Sequence, residues 1–349
     1  MRKPVTHALA ALLLLTLPGA QARADAIRLV MAMVYGSHLP GLGEPALDLA
    51  KRIKLLSNDT LELDLKQPGE VAQPQEILDK VSQGSIDAGF STASFWGAKM
   101  SAASLFSGFP FGLDATGYIE WFYAGNGLKL YQQMYDQGGY KVHVIPCAFG
   151  GAETAGWFAK EILIKDDIKG LRMRIFGLGG RVMSRAGATT VLVPGGTLTE
   201  AFDKKQIDAA ELYPPAADRR QDLQSHVKLI YAPGWHQPET VLELVINNDK
   251  WAALSAQQQT LIETACKASM LTTLASSAKL QREALAELAT KDGVRILPLP
   301  QDALDAFRAA WVEISREEGE QDAFFKEVLD DLETFRAKSP RSNLAPAAP

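Results

Sequence analysis

Hydrophobic and polar residues alternate strictly in the stretch LRMRI near the middle of the chain. Leu171, Met173 and Ile175 are apolar, and Arg172 and Arg174 stand between them. A period of two is typical of a β-strand with one buried face. The pattern therefore predicts a strand that carries both arginines on its opposite face.

The residues that follow predict a continuous α/β unit. A glycine-rich turn at 177–180 leads into a short helix, and a capping-box pattern at 197–200 starts a second helix. Residues 207–212 predict the next strand, which two prolines close. Such units place ligand sites beyond the C-terminal ends of their strands, so we expect Arg174 and Glu211 near a site.

The rest of the chain predicts the same alternation of strands and helices. Strands are predicted at 27–35, 61–65, 86–91, 141–145, 227–232, 241–247 and 294–297, and helices at 255–288, 302–316, 322–336 and after Pro45 and Pro74. Pro146 is expected to end the strand before it. The strand at 241–247 is expected to cross back to the first domain. This order over 349 residues indicates an α/β protein with two domains.

The N-terminus has the features of a secretory signal peptide. Two basic residues precede the apolar run 8–17, and a small-x-small cleavage signal ends at residue 24. The run is too short to span a membrane, and no later stretch is apolar for long enough. We therefore expect residues 1–24 to be removed.

The charge of the chain excludes some classes of partner. Removal of residues 1–24 leaves 33 basic and 41 acidic residues, a formal net charge of −8. Such a chain is a poor candidate for binding nucleic acid or an anionic membrane. A site for anions must then concentrate positive charge locally, which Arg174 would do.

Two cysteines, Cys147 and Cys266, remain after cleavage. An exported protein can hold a disulfide, but the preferred interpretation is two separate buried thiols, since sequence alone cannot place them within bonding range. Neither they nor the five scattered histidines form a zinc or redox motif.

A resemblance rests on the strings GLRMRIFGLGG, RAGATTVLVPGG and IDAAE. Together they resemble the signature of the substrate-binding proteins of TRAP transporters, and the Gly-Leu-Gly-Gly turn is most similar to the branch that binds 2-oxo acids and related monocarboxylates. The resemblance implies a two-lobed α/β periplasmic binding protein of type II-like fold, with one long helix spanning both lobes. It implies a protein of the periplasm, not an enzyme, that delivers a small organic acid to membrane permease subunits.

The resemblance also implies a division of the chain into lobes. Lobe I is expected at 25–148 plus about 239–270, and lobe II at 149–238 plus about 290–320. The spanning helix is expected at 255–288, C-terminal helices at 301–338 and a disordered tail at 339–349. An interdomain hinge is expected at Gly150–Gly151. A homodimer through the C-terminal helices is left open.

Arg174 matches the arginine that anchors the substrate carboxylate in this family. A guanidinium can grip a carboxylate through two parallel hydrogen bonds, which fixes both charge and orientation. Without the resemblance, a solvated strand arginine would be an equal alternative. Arg172, at the start of the strand, is expected at the surface.

The other expected substrate contacts are Glu153, Phe90, Phe95, Trp96 and Gly177, with core packing as the alternative for each aromatic residue.

The resemblance further implies a bound cation held by Glu153, Glu211, Leu212 and Gln237. Family members of this branch usually have Gln, Glu and Glu where this chain has Glu153, Glu211 and Gln237, and Leu212, which stands at a usual tryptophan, would contribute its backbone carbonyl. Oxygen ligands suit Ca²⁺ or Na⁺, and the charge count favours Ca²⁺. The alternatives are a salt bridge between Glu211 and Arg174, and plain loop hydrogen bonds for Gln237 and His236.

Two rival functions stay open at this stage. One is a secreted enzyme with Glu211 or Glu153 as general base, although the chain has no phosphate loop, nucleophile elbow or His-Glu-x-x-His motif. The other is a metal-free binding protein for a dicarboxylate or a sugar acid, held by Arg174 and neutral donors.

Overall fold

A computed structural model describes residues 26–338 of the chain. The predicted signal peptide and the predicted disordered tail lie outside these residues. Within them, no helix combines the length and the apolar character that a bilayer crossing requires.

The described residues form strands and helices in alternation. The strands are β1 (Ile27–Met33), β2 (Leu61–Lys66), β3 (Ala88–Ser91), β4 (Val142–Phe149), β5 (Gly156–Phe158), β6 (Arg172–Arg174), β7 (Thr189–Thr190), β8 (Ala209–Ala210), β9 (Leu229–Tyr231), β10 (Val241–Asn247) and β11 (Arg295–Leu297). The helices are α1 (Glu44–Leu56), α2 (Ile77–Ser82), α3 (Ala115–Ala124), α4 (Gly127–Gln137), α5 (Gly177–Arg185), α6 (Leu198–Asp203), α7 (Pro215–Asp218), α8 (Asn248–Ala253), α9 (Ala256–Thr290), α10 (Gln301–Gln321) and α11 (Ala323–Lys338).

The first sheet has the strand order β2-β1-β3-β10-β4. Strands β1, β2 and β3 are parallel, and β10 runs antiparallel between β3 and β4. Every residue of β10 is buried, as expected for a central strand covered on both faces. The predicted return of residues 241–247 to the first sheet is confirmed.

The second sheet has the order β11-β9-β5-β8-β6-β7. Strand β6 lies between β7 and β8 and is parallel to both, with Arg174 paired to Ala210. This register puts the ends of β6 and β8 side by side, so that Arg174 and Glu211 become neighbours.

Two local predictions were wrong. Strand β4 does not end at Pro146 but continues to Phe149. Pro146 lies opposite Glu243 at an irregularity in the pairing with β10, and an interrupted ladder tolerates a residue without an N–H. The hydroxyl of Thr197 donates to the carbonyl of Pro194 instead of capping α6.

The prediction of two free thiols was also wrong, because Cys147 and Cys266 form a disulfide. Cys147 lies on β4 and Cys266 on α9, and 119 positions separate them along the chain. Strand and helix pack against each other, which brings the two Cα atoms to 4.3 Å. Sequence spacing alone carried no sign of this packing.

The helix α9 joins the two halves of the molecule, as predicted; the first half is built on the first sheet and the second half on the second sheet. Its 35 residues begin with a capping box at Ser255 and Gln258 and, at 1.5 Å per residue, extend about 50 Å. It packs against α1 and β4 of the first half and against α7 and β11 of the second. Two further connections, at 150–155 and 232–240, join the sheets.

Candidate functional site

A cavity of about 810 Å³ lies between the two sheets. Its wall includes Tyr35 and Phe95, which follow β1 and β3 of the first sheet. The second sheet contributes Arg174 at the end of β6, Glu211 after β8 and the loop with His236 that follows β9. The strand ends of both sheets therefore converge on one space, in agreement with the rule for α/β folds.

Arg174 is buried at this cavity, and only 7% of its surface is exposed. Its Nη1 donates to the backbone carbonyl of Glu211 in a short hydrogen bond and lies 3.3 Å from Glu211 Oε2. The guanidinium carbon stands 4.0 Å from the centre of the Phe176 ring, a cation–π geometry. The side chain is thus held in place and is not a solvated strand arginine.

Arg172 has a different role on the same strand. Its side chain is 42% exposed and binds Asp208 through two nitrogens, at 3.0 and 2.9 Å. Hydrogen bonds from Arg172 hold the pKa of Asp208 below its ordinary value. The predicted surface position of Arg172 is confirmed, and its positive charge is already compensated.

Glu153 is the second buried charge of the cavity wall. Its Oε1 accepts from Gln237 Nε2 at 2.8 Å, and its Oε2 lies 3.1 Å from His236 Nε2. Burial, and then the neighbouring charge of Glu211, raise the pKa of Glu153 well above its ordinary value, while Arg174 opposes this shift. The pair of carboxyl groups formed by Glu153 and Glu211 therefore favours a bound proton or a cation.

Glu153, Glu211 and His236 form a cluster that could hold a metal ion. One oxygen or nitrogen atom from each lies within 4.8 Å of the others, and all three residues are at the cavity wall. Burial lowers the pKa of His236, which favours the neutral imidazole. Two mutually repelling buried carboxyl groups beside an imidazole fit a cation, since a positive ion removes the repulsion.

An aromatic edge completes the wall on the side of the first sheet. The ring centres of Tyr35 and Phe95 are 5.6 Å apart, and those of Tyr35 and Tyr213 are 5.9 Å apart, both in edge-to-face geometry. The sequence analysis named Phe95 but missed both tyrosines. Each tyrosine closely follows a strand of its sheet, β1 or β8, so the strand-end rule could have found them.

Phe90 and Trp96 do not line the cavity. Phe90 lies inside β3, opposite Leu244 of β10, and is 1% exposed. Trp96 is fully buried and donates from Nε1 to Glu243 at 2.9 Å. For these two residues the alternative of core packing applies, because both belong to the hydrophobic core and Trp96 also binds the buried Glu243 of β10.

The remaining expected positions do lie at the cavity. Gly177 lines it with a φ of +58°, a conformation that favours glycine. Leu212 lines it, and Gln237 reaches it from the loop that also carries His236. His236, expected to make plain loop hydrogen bonds, instead contacts a buried carboxylate of the site.

Comparison with known proteins identifies the family. The sequence profile of the bacterial extracellular solute-binding proteins, family 7, matches residues 33–322. The chain belongs to this family. Its members are solute receptors outside the cytoplasm, and the two-lobed α/β fold above is the architecture of the family.

One curated relative is the monocarboxylate 2-oxoacid-binding periplasmic protein all3028 of Nostoc sp. strain PCC 7120. The two sequences are 34% identical over 288 residues, which cover 82% of this chain and 78% of the relative.

Several solved structures of the family share the fold. A TRAP solute-binding protein from Colwellia psychrerythraea with bound calcium and pyruvate has a TM-score of 0.84 at 29% identity, covering 92% of this chain and 99% of that one. A protein from Pseudoalteromonas atlantica T6c with bound sodium and pyruvate has a TM-score of 0.83 at 28% identity, with coverages of 90% and 95%. A protein from Bordetella bronchiseptica RB50, with copurified calcium and picolinate in one site of a dimer, has a TM-score of 0.84 at 27% identity, with coverages of 90% and 92%.

Proposed function

We propose that this protein is the periplasmic solute-binding subunit of a TRAP transporter. It captures a small 2-oxo or 2-hydroxy monocarboxylate in the cavity between its two sheets and delivers it to the membrane permease subunits. The proposed mechanism consists of ligand binding and hinge closure, without a covalent step. Pyruvate is the natural first probe, because it is bound in two solved relatives.

The observation that carries the proposal is the buried position of Arg174 at the cavity. A buried guanidinium next to an accessible space attracts an anion, and a carboxylate matches its planar donor geometry. The ion pair with Glu211 at 3.3 Å compensates the charge of Arg174. An incoming carboxylate therefore competes with Glu211, unless a cation engages Glu211 at the same time.

A bound cation resolves this competition. Glu153 and Glu211 would hold it through carboxylate oxygens, with the backbone carbonyl of Leu212 and the side chain of Gln237 as further ligands. The cation supplies the positive charge that lets the substrate carboxylate sit beside Glu153 and Glu211. With Arg174, two carboxylates and the substrate in one buried set, a divalent ion such as Ca²⁺ gives zero net charge, whereas Na⁺ leaves −1.

The lobes of the proposed closure follow the two sheets. Lobe I comprises 25–148 plus about 239–270, and lobe II comprises 149–238 plus about 290–320. The connection at Gly150–Gly151 is the proposed hinge. Gly151 has a φ of +99°, which favours glycine at this position.

The experiment compares two arginines of one strand. Pyruvate binding is measured by isothermal titration calorimetry, in the presence of Ca²⁺, for the wild type, Arg174→Ala and the matched control Arg172→Ala. We expect Arg174→Ala to weaken binding by about 100-fold or more, since it removes a buried charged partner. Arg172→Ala, whose side chain is half exposed and bound to Asp208, should bind within about threefold of the wild type.

Thermal unfolding of both variants shows that each is folded. Arg174→Lys serves as a second variant, because it keeps the charge without the planar fork and should bind with intermediate affinity. Wild-type affinity in a folded Arg174→Ala protein contradicts the proposal. The other small carboxylates then follow as a screen with the wild type.

A further inference from the structure

The imidazole of His236 distinguishes this cavity from a site built of oxygen atoms alone. His236 is 7% exposed and lies against Glu153 with its Nε2 at 3.1 Å from Oε2. Its other ring nitrogen, Nδ1, is buried and has no hydrogen-bond partner among residues 26–338. A neutral imidazole always has one nitrogen lone pair to offer. A buried polar atom without a partner is costly, and His236 lines the cavity beside two carboxyl groups, so the ring is a candidate ligand.

The spacing of the cluster suits a single ion. Ligand atoms about 2.0–2.2 Å from one metal ion lie about 3 Å apart when adjacent and about 4 Å apart when opposite. The donor atoms of Glu153, Glu211 and His236 all lie within 4.8 Å of one another. Movements of a few tenths of an ångström would bring all three to one ion, together with an oxygen of the substrate.

The donor chemistry then bears on which ion is preferred. Ca²⁺ and Na⁺ prefer oxygen ligands and gain little from a nitrogen donor. Imidazole suits first-row transition ions such as Fe²⁺, Ni²⁺ and Zn²⁺, and Mn²⁺, at the weak end of the same series, also accepts histidine beside carboxylates although it is closer to Ca²⁺ in its preference for oxygen. A third ligand of this type therefore raises the affinity for transition ions more than the affinity for Ca²⁺.

We infer that His236 is a nitrogen ligand of the cation site and shifts its preference from Ca²⁺ toward a divalent first-row transition ion. This inference rests on the proposed function, since it concerns the same cation site. It goes further by naming the residue that sets the choice of ion.

The test uses metal ions alone, on the full-length mature protein after removal of bound metal with a chelator. Free Mn²⁺ is followed by electron paramagnetic resonance during titration, and Ca²⁺ is added as competitor. The variants are His236→Asn and the matched control His143→Asn. His143 is half-buried and stacks on Trp251, away from the cavity wall.

We expect the ratio of Mn²⁺ to Ca²⁺ affinity to fall by at least about tenfold in His236→Asn and to stay unchanged in His143→Asn. Oxygen sites also favour Mn²⁺ to some degree, so the change in the ratio is the decisive quantity and not the ratio itself. Pulsed electron paramagnetic resonance spectra of the Mn²⁺ complex should show hyperfine coupling to an imidazole ¹⁴N in the wild type and in His143→Asn. The coupling should vanish in His236→Asn.

Three results would overturn the inference: no ¹⁴N coupling in the wild type, an unchanged ratio in His236→Asn, or no binding of either metal. None of them depends on pyruvate. The dependence of pyruvate binding on Arg174 tests the proposed function separately, so failure of one can be told from failure of the other.

Discussion

The side-chain amide of Gln281 donates to the backbone carbonyl of Gly150 at 2.9 Å, and its oxygen accepts from the backbone N–H of Ala216 at 2.8 Å. Gln281 lies in the C-terminal half of α9 and is 6% exposed. The side chain of Gln281 therefore links the connection at 150–155 to α7 of the second half by two hydrogen bonds.

Replacement of Gln281 by alanine should destabilise the protein. It leaves two buried backbone groups without partners, at about 1–3 kcal/mol each. We expect a loss of about 2–4 kcal/mol in the free energy of unfolding, measured with urea. The control is Gln257→Ala, an exposed position on the same helix that should change stability by less than about 0.5 kcal/mol. Equal losses in the free energy of unfolding for the two substitutions would show that the hydrogen bonds of Gln281 do not stabilise the fold.

Glu243 is a buried carboxylate that accepts hydrogen bonds from four side chains. It is fully buried on β10 and accepts from Ser91, Trp96, Tyr131 and Tyr135. Burial raises its pKa, and the four donors oppose that shift.

Glu243→Ala should lower the free energy of unfolding by about 3–5 kcal/mol, because four buried donors lose their acceptor. Circular dichroism during chemical unfolding measures this loss. The control is Glu327→Ala, an exposed position on α11. A loss near 1 kcal/mol would mean that water replaces the carboxylate without much cost.

Glu239 should make stability depend on pH. It lies in the connection 232–240, is 5% exposed, and accepts from the backbone N–H groups of Gly151 and Thr240 at 2.7 and 2.9 Å. Burial raises its pKa from 4.5 to about 7; the two N–H groups oppose the shift, and Asp114 adds to it.

A carboxyl group with a raised pKa in the folded state contributes its stability below its unfolded pKa. That contribution is lost as the pH rises from about 4.5 through about 7. The loss amounts to about 3 kcal/mol. Glu239→Gln keeps an oxygen for both N–H groups, so the variant should be more stable than the wild type at pH 8 and similar to it at pH 5. Thermal unfolding at both pH values, with the exposed Glu327→Gln as control, measures the difference. If the thermal stability of Glu239→Gln depended on pH as that of the wild type does, Glu239 would not be the source of the pH dependence.

The disulfide between Cys147 and Cys266 should be a major source of stability. It closes a loop of about 120 residues, for which restriction of the unfolded chain is worth about 5 kcal/mol. We expect a Cys147→Ala/Cys266→Ala double variant to unfold at a markedly lower urea concentration. Reduction of the wild type should give the same midpoint, whereas reduction of the double variant should change nothing. Equal midpoints for oxidised and reduced wild type would show that the bond adds no stability.

The proximity of Arg174 to Glu211 could be predicted from the sequence because both residues stand at the ends of short parallel strands of one α/β unit. Strand period and strand order suffice to bring such ends together. The long helix was likewise predictable from its capping box and its length.

Other features depended on contacts between distant segments. Alternation assigns Phe90 to a face of β3 but does not tell what covers that face, and only the packing of the hydrophobic core decides this. The disulfide and the contact of His236 with Glu153 join residues more than 80 positions apart. Their formation depends on how β4, α9 and the connections pack, which no local pattern records.

The position of β10 has a consequence for how an exported chain acquires its shape. Strands β3 and β4 are separated by β10 in the first sheet, although β10 comes almost 100 residues after β4 along the chain. During N-to-C-terminal translocation, the first sheet therefore stays incomplete until residue 247 has crossed, and the second until β11 follows. Neither sheet can therefore be completed from the N-terminal segments alone: the first needs residues up to 247 of the 349 and the second needs residues up to 297.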